Sequence, residues 1–146
     1  MDQVVNYVTI AVNDFASELA FYRNVLGWEP YQTVDDTVAF FNAGGVVFSL
    51  CSLEELADDI GAQLKTDPHL GVTLSQNLPN EQAVDLVFAQ VEKAGGTVVK
   101  KPQKASWGGY SGYFSDLEGH LWEIAYNPSS KFNERGEMVV PRGDPA

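Results

Sequence analysis

The chain has 146 residues, 45% of them hydrophobic. That is enough for one compact domain or two small halves sharing a core. No apolar run is long enough to span a bilayer. Twenty acidic against nine basic residues give a net charge of −11. This argues against binding nucleic acid through its phosphates, or anionic membranes, because both need clustered Lys and Arg.

Small organic ligands, cationic ones included, remain open to an acidic protein. Cys51 is the one cysteine, so no intrachain disulfide is possible. The opening stretch MDQVVNYVTIAV has no basic n-region and no cleavage pattern. No signal peptide is therefore expected, and with a lone thiol the expected location is the cytoplasm.

Val4 to Val12 alternates, with Val8, Ile10 and Val12 on one face and Tyr7, Thr9 and Ala11 on the other, which predicts a strand. Asp14 is the candidate N-cap of a helix over Phe15 to Leu26, where Phe15, Leu19, Tyr22 and Leu26 form an apolar stripe and Gly27 is the stop. Strands are predicted over Trp28 to Gln32, Thr37 to Asn42 and Val46 to Ser52, the last two joined at Ala43-Gly44-Gly45. Leu53 to Leu64 is acidic and amphipathic and reads as a short helix; Glu54, Glu55, Asp58 and Asp59 form its solvated face. Lys65 to His69 is a polar linker, and His69 reads as a surface residue.

The order then repeats. Gly71 to Gln76 predicts a strand, with Val72 and Leu74 opposite Gly71, Thr73 and Ser75. Asn80 caps a helix over Glu81 to Ala94, with Val84, Phe88 and Val91 in line and Gly95-Gly96 as the stop. Thr97 to Lys101 is a strand, and a hairpin follows. Its strands are Tyr110 to Ser115 and His120 to Tyr126, joined by Asp116-Leu117-Glu118-Gly119. Both halves read β-α-β-β-β, an internal repeat that decides the fold more strongly than any local propensity. The expected class is α+β. A single domain over 1–128 is made of repeats 4–52 and 70–128 with a connector over 53–69. A polar tail over 129–146 follows, in which Met138-Val139-Val140 is the segment able to dock on a neighbouring surface.

In the last strand Trp122, Ile124 and Tyr126 share a face suited to packing under a helix. Leu121, Glu123 and Ala125 share the other. Glu123 is a carboxylate among small and apolar neighbours, and burying it alone is costly. It needs water, a partner, a metal or a ligand. As a ligand-facing group it is a candidate metal ligand, general base or hydrogen-bonding anchor. As a structural group it is satisfied by Tyr7 or by water.

The helix stretch Phe21-Tyr22-Arg23-Asn24-Val25-Leu26-Gly27, after a strand ending in Val-x-Asp, resembles the vicinal oxygen chelate superfamily. So does the hairpin running from Gly108-Gly109-Tyr110 through Asp116 and Gly119-His120 to Trp122-Glu123 and Asn127-Pro128. That group includes glyoxalase I, bleomycin-resistance proteins and extradiol dioxygenases, and the hairpin is similar to the signature of a bacterial glyoxalase-like branch. The resemblance covers about residues 4 to 128. It implies paired β-α-β-β-β modules, each curling a mixed sheet into a half-open cup with its helix on the convex side. The concave faces would carry Tyr7, Thr9, Ser49, Thr73, Ser75 and Glu123. Family metal enzymes place ligands on the first and last strands of each half. Mapped here, those positions fall on Tyr7, Ser49, Gly71 and Glu123, of which only Glu123 is a usual ligand type.

Trp107, Tyr110 and Tyr113 lie on or beside the approach to the concave face and can stack on a planar or cationic ligand. Equally, they stabilise the hairpin as cross-strand aromatics. Tyr7 is a hydrogen-bond partner or an aromatic wall. His120 reads as a rim residue and Cys51 as a small buried one. Two functions follow. The first is a metal-independent small-molecule-binding protein with an aromatic-lined cup, needing no cofactor. The second is a metal-dependent glyoxalase-type lyase or isomerase, or a dioxygenase, using Glu123. The resemblance also implies a homodimer.

Overall fold

The structure, a computed structural model, describes residues 7–61, 63 and 72–139. Tyr7–Val12 (β1) is followed by the helix Phe15–Asn24 (α1), then Gln32–Val34 (β2), Val38–Asn42 (β3), Val47–Ser52 (β4) and the helix Leu53–Ile60 (α2). The second half comprises Leu74–Leu78 (β5), the helix Glu81–Lys93 (α3), Thr97–Lys104 (β6), Tyr110–Ser115 (β7) and Leu121–Tyr126 (β8). Each half folds into a four-stranded mixed sheet, in the orders β1-β4-β3-β2 and β5-β8-β7-β6. The first and last strands of each half pair in parallel and the rest pair antiparallel. This is the expected α+β arrangement of two repeated modules.

The helix starts and stops follow their local chemistry. Asp14 caps α1 through the Ser17 N–H at 3.0 Å, a bond that holds the Asp14 carboxyl below its ordinary value. Asn80 caps α3 through the Ala83 N–H at 2.8 Å. α1 stops at Asn24, short of the expected Leu26, because Gly27 at φ +70° turns the chain back and the Trp28 N–H bonds to the Tyr22 carbonyl at 2.9 Å. α2 ends at Gly61, also left-handed, rather than running to Leu64; Leu64 lies outside the described residues.

The strand expected over Trp28 to Gln32 is displaced to Gln32–Val34. Pro30 has no N–H for a ladder, and Trp28 turns into the core instead, 5.4 Å from the Trp122 ring and 5.7 Å from the Phe48 ring. β5 lies later than the expected Gly71 to Gln76, because Asn77 and Leu78 continue the parallel ladder against Ala125 and Tyr126. Gly71 and His69 lie outside the described residues. β6 is longer than expected, with register shifts between Val98 and Lys100 and between Lys100 and Gln103. Pro102 falls in the second shift, where a missing N–H is tolerated.

The two modules share one core. Tyr22 of α1 with Phe41, Phe48 and Leu50 of the first sheet are buried together with Phe88 of α3 and Phe114, Trp122 and Ile124 of the second sheet. Gln90 of α3 also donates to the Val25 carbonyl after α1, at 3.1 Å. Gly112 of β7 has no side chain because an added Cβ would sit 2.7 Å from both the Phe88 ring and the Lys100 carbonyl. The face of each sheet opposite this core is called its open face below; α2 packs against β4 and β1 at one end of the first. Part of the tail lies against β5, with Met138 and Val139 of its apolar segment half exposed. Phe132 and Met138 form a bridge, and the Asn77 amide donates to Ser130 Oγ and Met138 Sδ, both at 3.3 Å. Val140 lies outside the described residues. Among the described residues, no helix is long and apolar enough to cross a membrane.

Candidate functional site

Strand alternation and register decide which side chains meet. In the first sheet Thr9 pairs with Ser49, and Ser49 with Phe40. These three share the open face, and the Thr9 and Ser49 hydroxyls lie 2.6 Å apart. Tyr7, 58% exposed, stands edge-on to Phe40 with ring centroids 6.4 Å apart, and Tyr31 stacks on Phe40 from the other side at 6.2 Å. Phe40 and Tyr31 were not singled out from the sequence. Phe40 and Phe41 are adjacent aromatics, so alternation alone does not say which faces the core. Cys51 is buried, as expected, with its thiol pushed up by burial and by the charges of Glu55 and Asp59 on α2.

In the second sheet Ser75, Glu123 and Tyr113 form one row across three strands. The Tyr113 hydroxyl donates to Glu123 Oε2 at 2.7 Å, and Ser75 Oγ donates to Oε1 at 3.2 Å. The Tyr113 phenol is pushed up, chiefly by that hydrogen bond to the carboxylate. Glu123 is thus satisfied by Tyr113 and Ser75 and not by Tyr7, which belongs to the other sheet. Thr73 precedes β5, is exposed, and stands two residues before Ser75 as Tyr7 stands two before Thr9.

Tyr110 does not join this row. Three residues from Tyr113, it has the opposite parity, and its hydroxyl donates to Asp85 of α3 at 2.7 Å on the helix side. Trp107 is half exposed in the β6–β7 loop. Its indole lies over Gly109, where an added Cβ would come within 1.9 Å of the ring. The sequence-predicted residues therefore separate into Tyr7, Thr9 and Ser49 on one open face, Tyr113 and Glu123 on the other, Thr73 exposed just ahead of β5, and Tyr110 and Trp107 elsewhere.

The largest polar assembly lies between the modules and was not foreseen. The β7–β8 turn docks on the start of α1. Glu118 accepts from the Asn13 and Asp14 backbone N–H groups, both at 2.8 Å, and from the Asn13 side chain at 3.0 Å. Asp116 accepts from the Glu118 and His120 N–H groups at 3.1 and 2.8 Å, from Tyr22 at 3.0 Å, and stands 2.7 Å from His120 Nδ1. Glu18 of α1, fully buried, accepts from the Glu118 N–H at 2.6 Å. The signal was present: Glu18 falls three residues after Phe15 and four before Tyr22, inside the apolar stripe. His120, expected at a rim, belongs to this assembly. Glu118→Ala should cost about 1–2 kcal/mol, by removing a carboxylate that satisfies free N–H groups at the start of α1. A urea melt checks it, and an unchanged midpoint would show that water replaces the carboxylate without loss.

A metal would need several convergent His, Asp, Glu or Cys donors. On the open faces the described residues offer Glu123 on the second sheet, already bonded by two hydroxyls, and Tyr7 and Ser49 on the first, and this set does not fit a divalent cation. Among the described residues, one group of three such side chains has donor atoms within 4.8 Å of one another: Glu18, Asp116 and His120. It lies on the helix side, and both Asp116 oxygens are already engaged. A crevice of about 70 Å³ between the modules, lined by Leu26, Trp28, Val87 and Phe114 among others, contains no titratable group.

Two β-α-β-β-β modules with repeated topology and a shared aromatic core define a class of small α+β proteins built on paired mixed sheets. The chain belongs to the glyoxalase/bleomycin resistance protein/dioxygenase superfamily, whose family model matches residues 4–124. It is 27% identical over 121 residues to the metallothiol transferase FosB of Staphylococcus epidermidis, an alignment covering 82% of this chain and 81% of that one. A crystal structure of a glyoxalase-related enzyme from Fulvimarina pelagi superposes with a TM-score of 0.86 at 26% identity, covering 96% of this chain and 99% of that one. The fosfomycin resistance protein FosX of Listeria monocytogenes superposes with a TM-score of 0.64 at 22% identity, over 87% of this chain and 95% of that one, and shares the fold.

Proposed function

We propose that the protein is a metal-independent small-molecule-binding member of this superfamily, which holds an organic ligand on the open face of its second module. The observation that carries the reading is the Ser75–Glu123–Tyr113 row. Two hydroxyls fix the carboxylate's orientation on a sheet face, and the remaining acceptor capacity of Glu123 points to a donor-bearing, cationic group. Tyr113 beside it offers an aromatic face for the same cation. The net charge of −11 favours the approach of cations over anions. A homodimer belongs to the same reading. Val72, Tyr7 and Tyr31, at 66%, 58% and 56% exposure, leave apolar surface that a second copy would cover.

A second reading keeps Glu123 but assigns it to a metal, making the protein a metal-dependent lyase, isomerase, transferase or dioxygenase. Its support is the likeness to a protein named a metallothiol transferase. The donor set described above favours the first reading. Thermal unfolding with a panel of aromatic ammonium and guanidinium compounds separates the two, run with chelator present and again with added divalent cations. Saturable stabilisation in chelator supports binding without metal. A response that appears only with an added cation supports the second reading.

A further inference from the structure

Glu18 and Asp116 bring carboxyl oxygens within 4.8 Å of each other where water does not reach. Both side chains are buried, Glu18 at 0% exposure and Asp116 at 3%. Glu18 Oε1 accepts from the Glu118 N–H, but Glu18 Oε2 is buried without any hydrogen-bond partner. Asp116 is in the opposite condition, with both oxygens taken by donors from Tyr22, Glu118 and His120. Two buried carboxylates in one site, one of them with an orphan oxygen, are not stable as a pair of anions. Among the described residues no ion pair brings an ammonium or guanidinium to them: those of Lys and Arg are Arg23–Glu29 and Lys104–Glu81, both elsewhere.

We propose that the two modules are clasped by a retained proton: Glu18 is a neutral carboxylic acid that donates from Oε2 to the Asp116 carboxylate, so that the β7–β8 turn loosens from α1 as the solution becomes alkaline. The proton converts the orphan acceptor into a donor and leaves one negative charge in the site, on the carboxylate with the most donors. The groups facing Glu18 are Tyr22 on α1 and Asp116, Glu118 and His120 on the turn. Glu118 lies over the N-terminus of α1, whose N–H groups balance its charge.

The titration of these groups agrees. Burial, then the charge of Asp116, raise the Glu18 carboxyl from 4.5 to about 8. Burial pulls His120 down, but its hydrogen bond to Asp116 and the charges of Asp116, Glu18 and Glu118 outweigh this and leave it raised. Burial, then Asp116, push the Tyr22 phenol up. In the unfolded chain Glu18 loses its proton near 4.5, whereas the folded chain keeps it to about 8. Between those values the folded state carries the extra proton. The contribution is fully present below 4.5, and each further pH unit shifts the equilibrium toward unfolding by up to about tenfold until the proton leaves near 8. His120 acts in the same direction, with stability present below its ordinary value and lost as pH rises through its raised one.

The test is carboxyl infrared spectroscopy of the full chain with glutamate ¹³C-labelled at the side-chain carboxyl, titrated across the alkaline range, together with denaturant melts of the wild type and Glu18→Gln. Glutamine is uncharged, nearly isosteric and still donates, so it replaces the protonated acid at every pH. The expected result is a protonated-carboxyl band that persists at neutral pH, disappears near pH 8 and is absent from Glu18→Gln. With it, the wild type should lose stability between pH 4.5 and about pH 8 while Glu18→Gln loses markedly less, keeping only the part due to His120. A labelled wild type with no protonated glutamate at neutral pH would overturn the proposal, whether or not the variant folds. An alkaline loss of equal size in both proteins would overturn it as well.

Discussion

Trp122→Ala is expected to remove about 3–5 kcal/mol of stability, the range for emptying a buried aromatic site. Trp122 comes from β8 of the second module but is shared by both. It stacks parallel on Phe114 at 6.4 Å and stands edge-on to Tyr22, Trp28 and Phe48 of the first module at 6.2, 5.4 and 5.8 Å. Its indole N–H also donates to the Tyr22 hydroxyl at 3.1 Å, so the truncation removes that buried hydrogen bond as well. Domains of this size have about 5–15 kcal/mol in total, and the variant should sit near the edge of folding. Urea melts followed by tryptophan fluorescence and by circular dichroism measure the loss. Coincident transitions at much lower denaturant are expected, because the modules share the cluster. A loss below about 1 kcal/mol would mean that the modules do not depend on each other through this ring.

Glu123→Gln is expected to weaken binding of aromatic ammonium or guanidinium ligands by about 10- to 100-fold, while leaving stability nearly unchanged. The charge-assisted hydrogen bond lost is worth about 1.5–3 kcal/mol, and each 1.4 kcal/mol is about tenfold in Kd. Glutamine keeps the size of the side chain and an oxygen for the Tyr113 hydroxyl, so the fold loses little. The readout is the ligand-induced shift in melting temperature across a concentration series. A full wild-type response in the variant would remove Glu123 from the account.

How much of this was readable in advance follows from what each feature depends on. The element order, both helix caps and the bounds of β7 follow from periodicity and from Asp14, Asn80 and the turn at Gly119, all local signals. The assignment of Trp28 to a strand failed because its place is set by Trp122 and Phe48, which are remote in sequence. Glu123 stood out because its neighbours in the strand are small or apolar. Its partners did not, because they depend on β8 lying between β5 and β7 in one particular register. Tyr110 and Tyr113 are separated by three residues, which already puts them on opposite faces of a strand, yet their shared aromatic character suggested a single site. Glu18 illustrates the reverse. A carboxylate inside the Phe15–Tyr22 stripe is visible by spacing, but its meaning appears only when the β7–β8 turn arrives from a hundred residues away.

The central claim is that this chain keeps the superfamily's sheet faces while presenting a carboxylate row to a ligand instead of to a metal. The most direct measurement is elemental analysis of the full chain, purified without chelator and re-equilibrated separately with zinc, manganese, nickel and iron. The account predicts far less than one ion per chain in every case and no difference between the wild type and Glu123→Gln. One tightly held ion per chain, lost on substitution of Glu123, would contradict it.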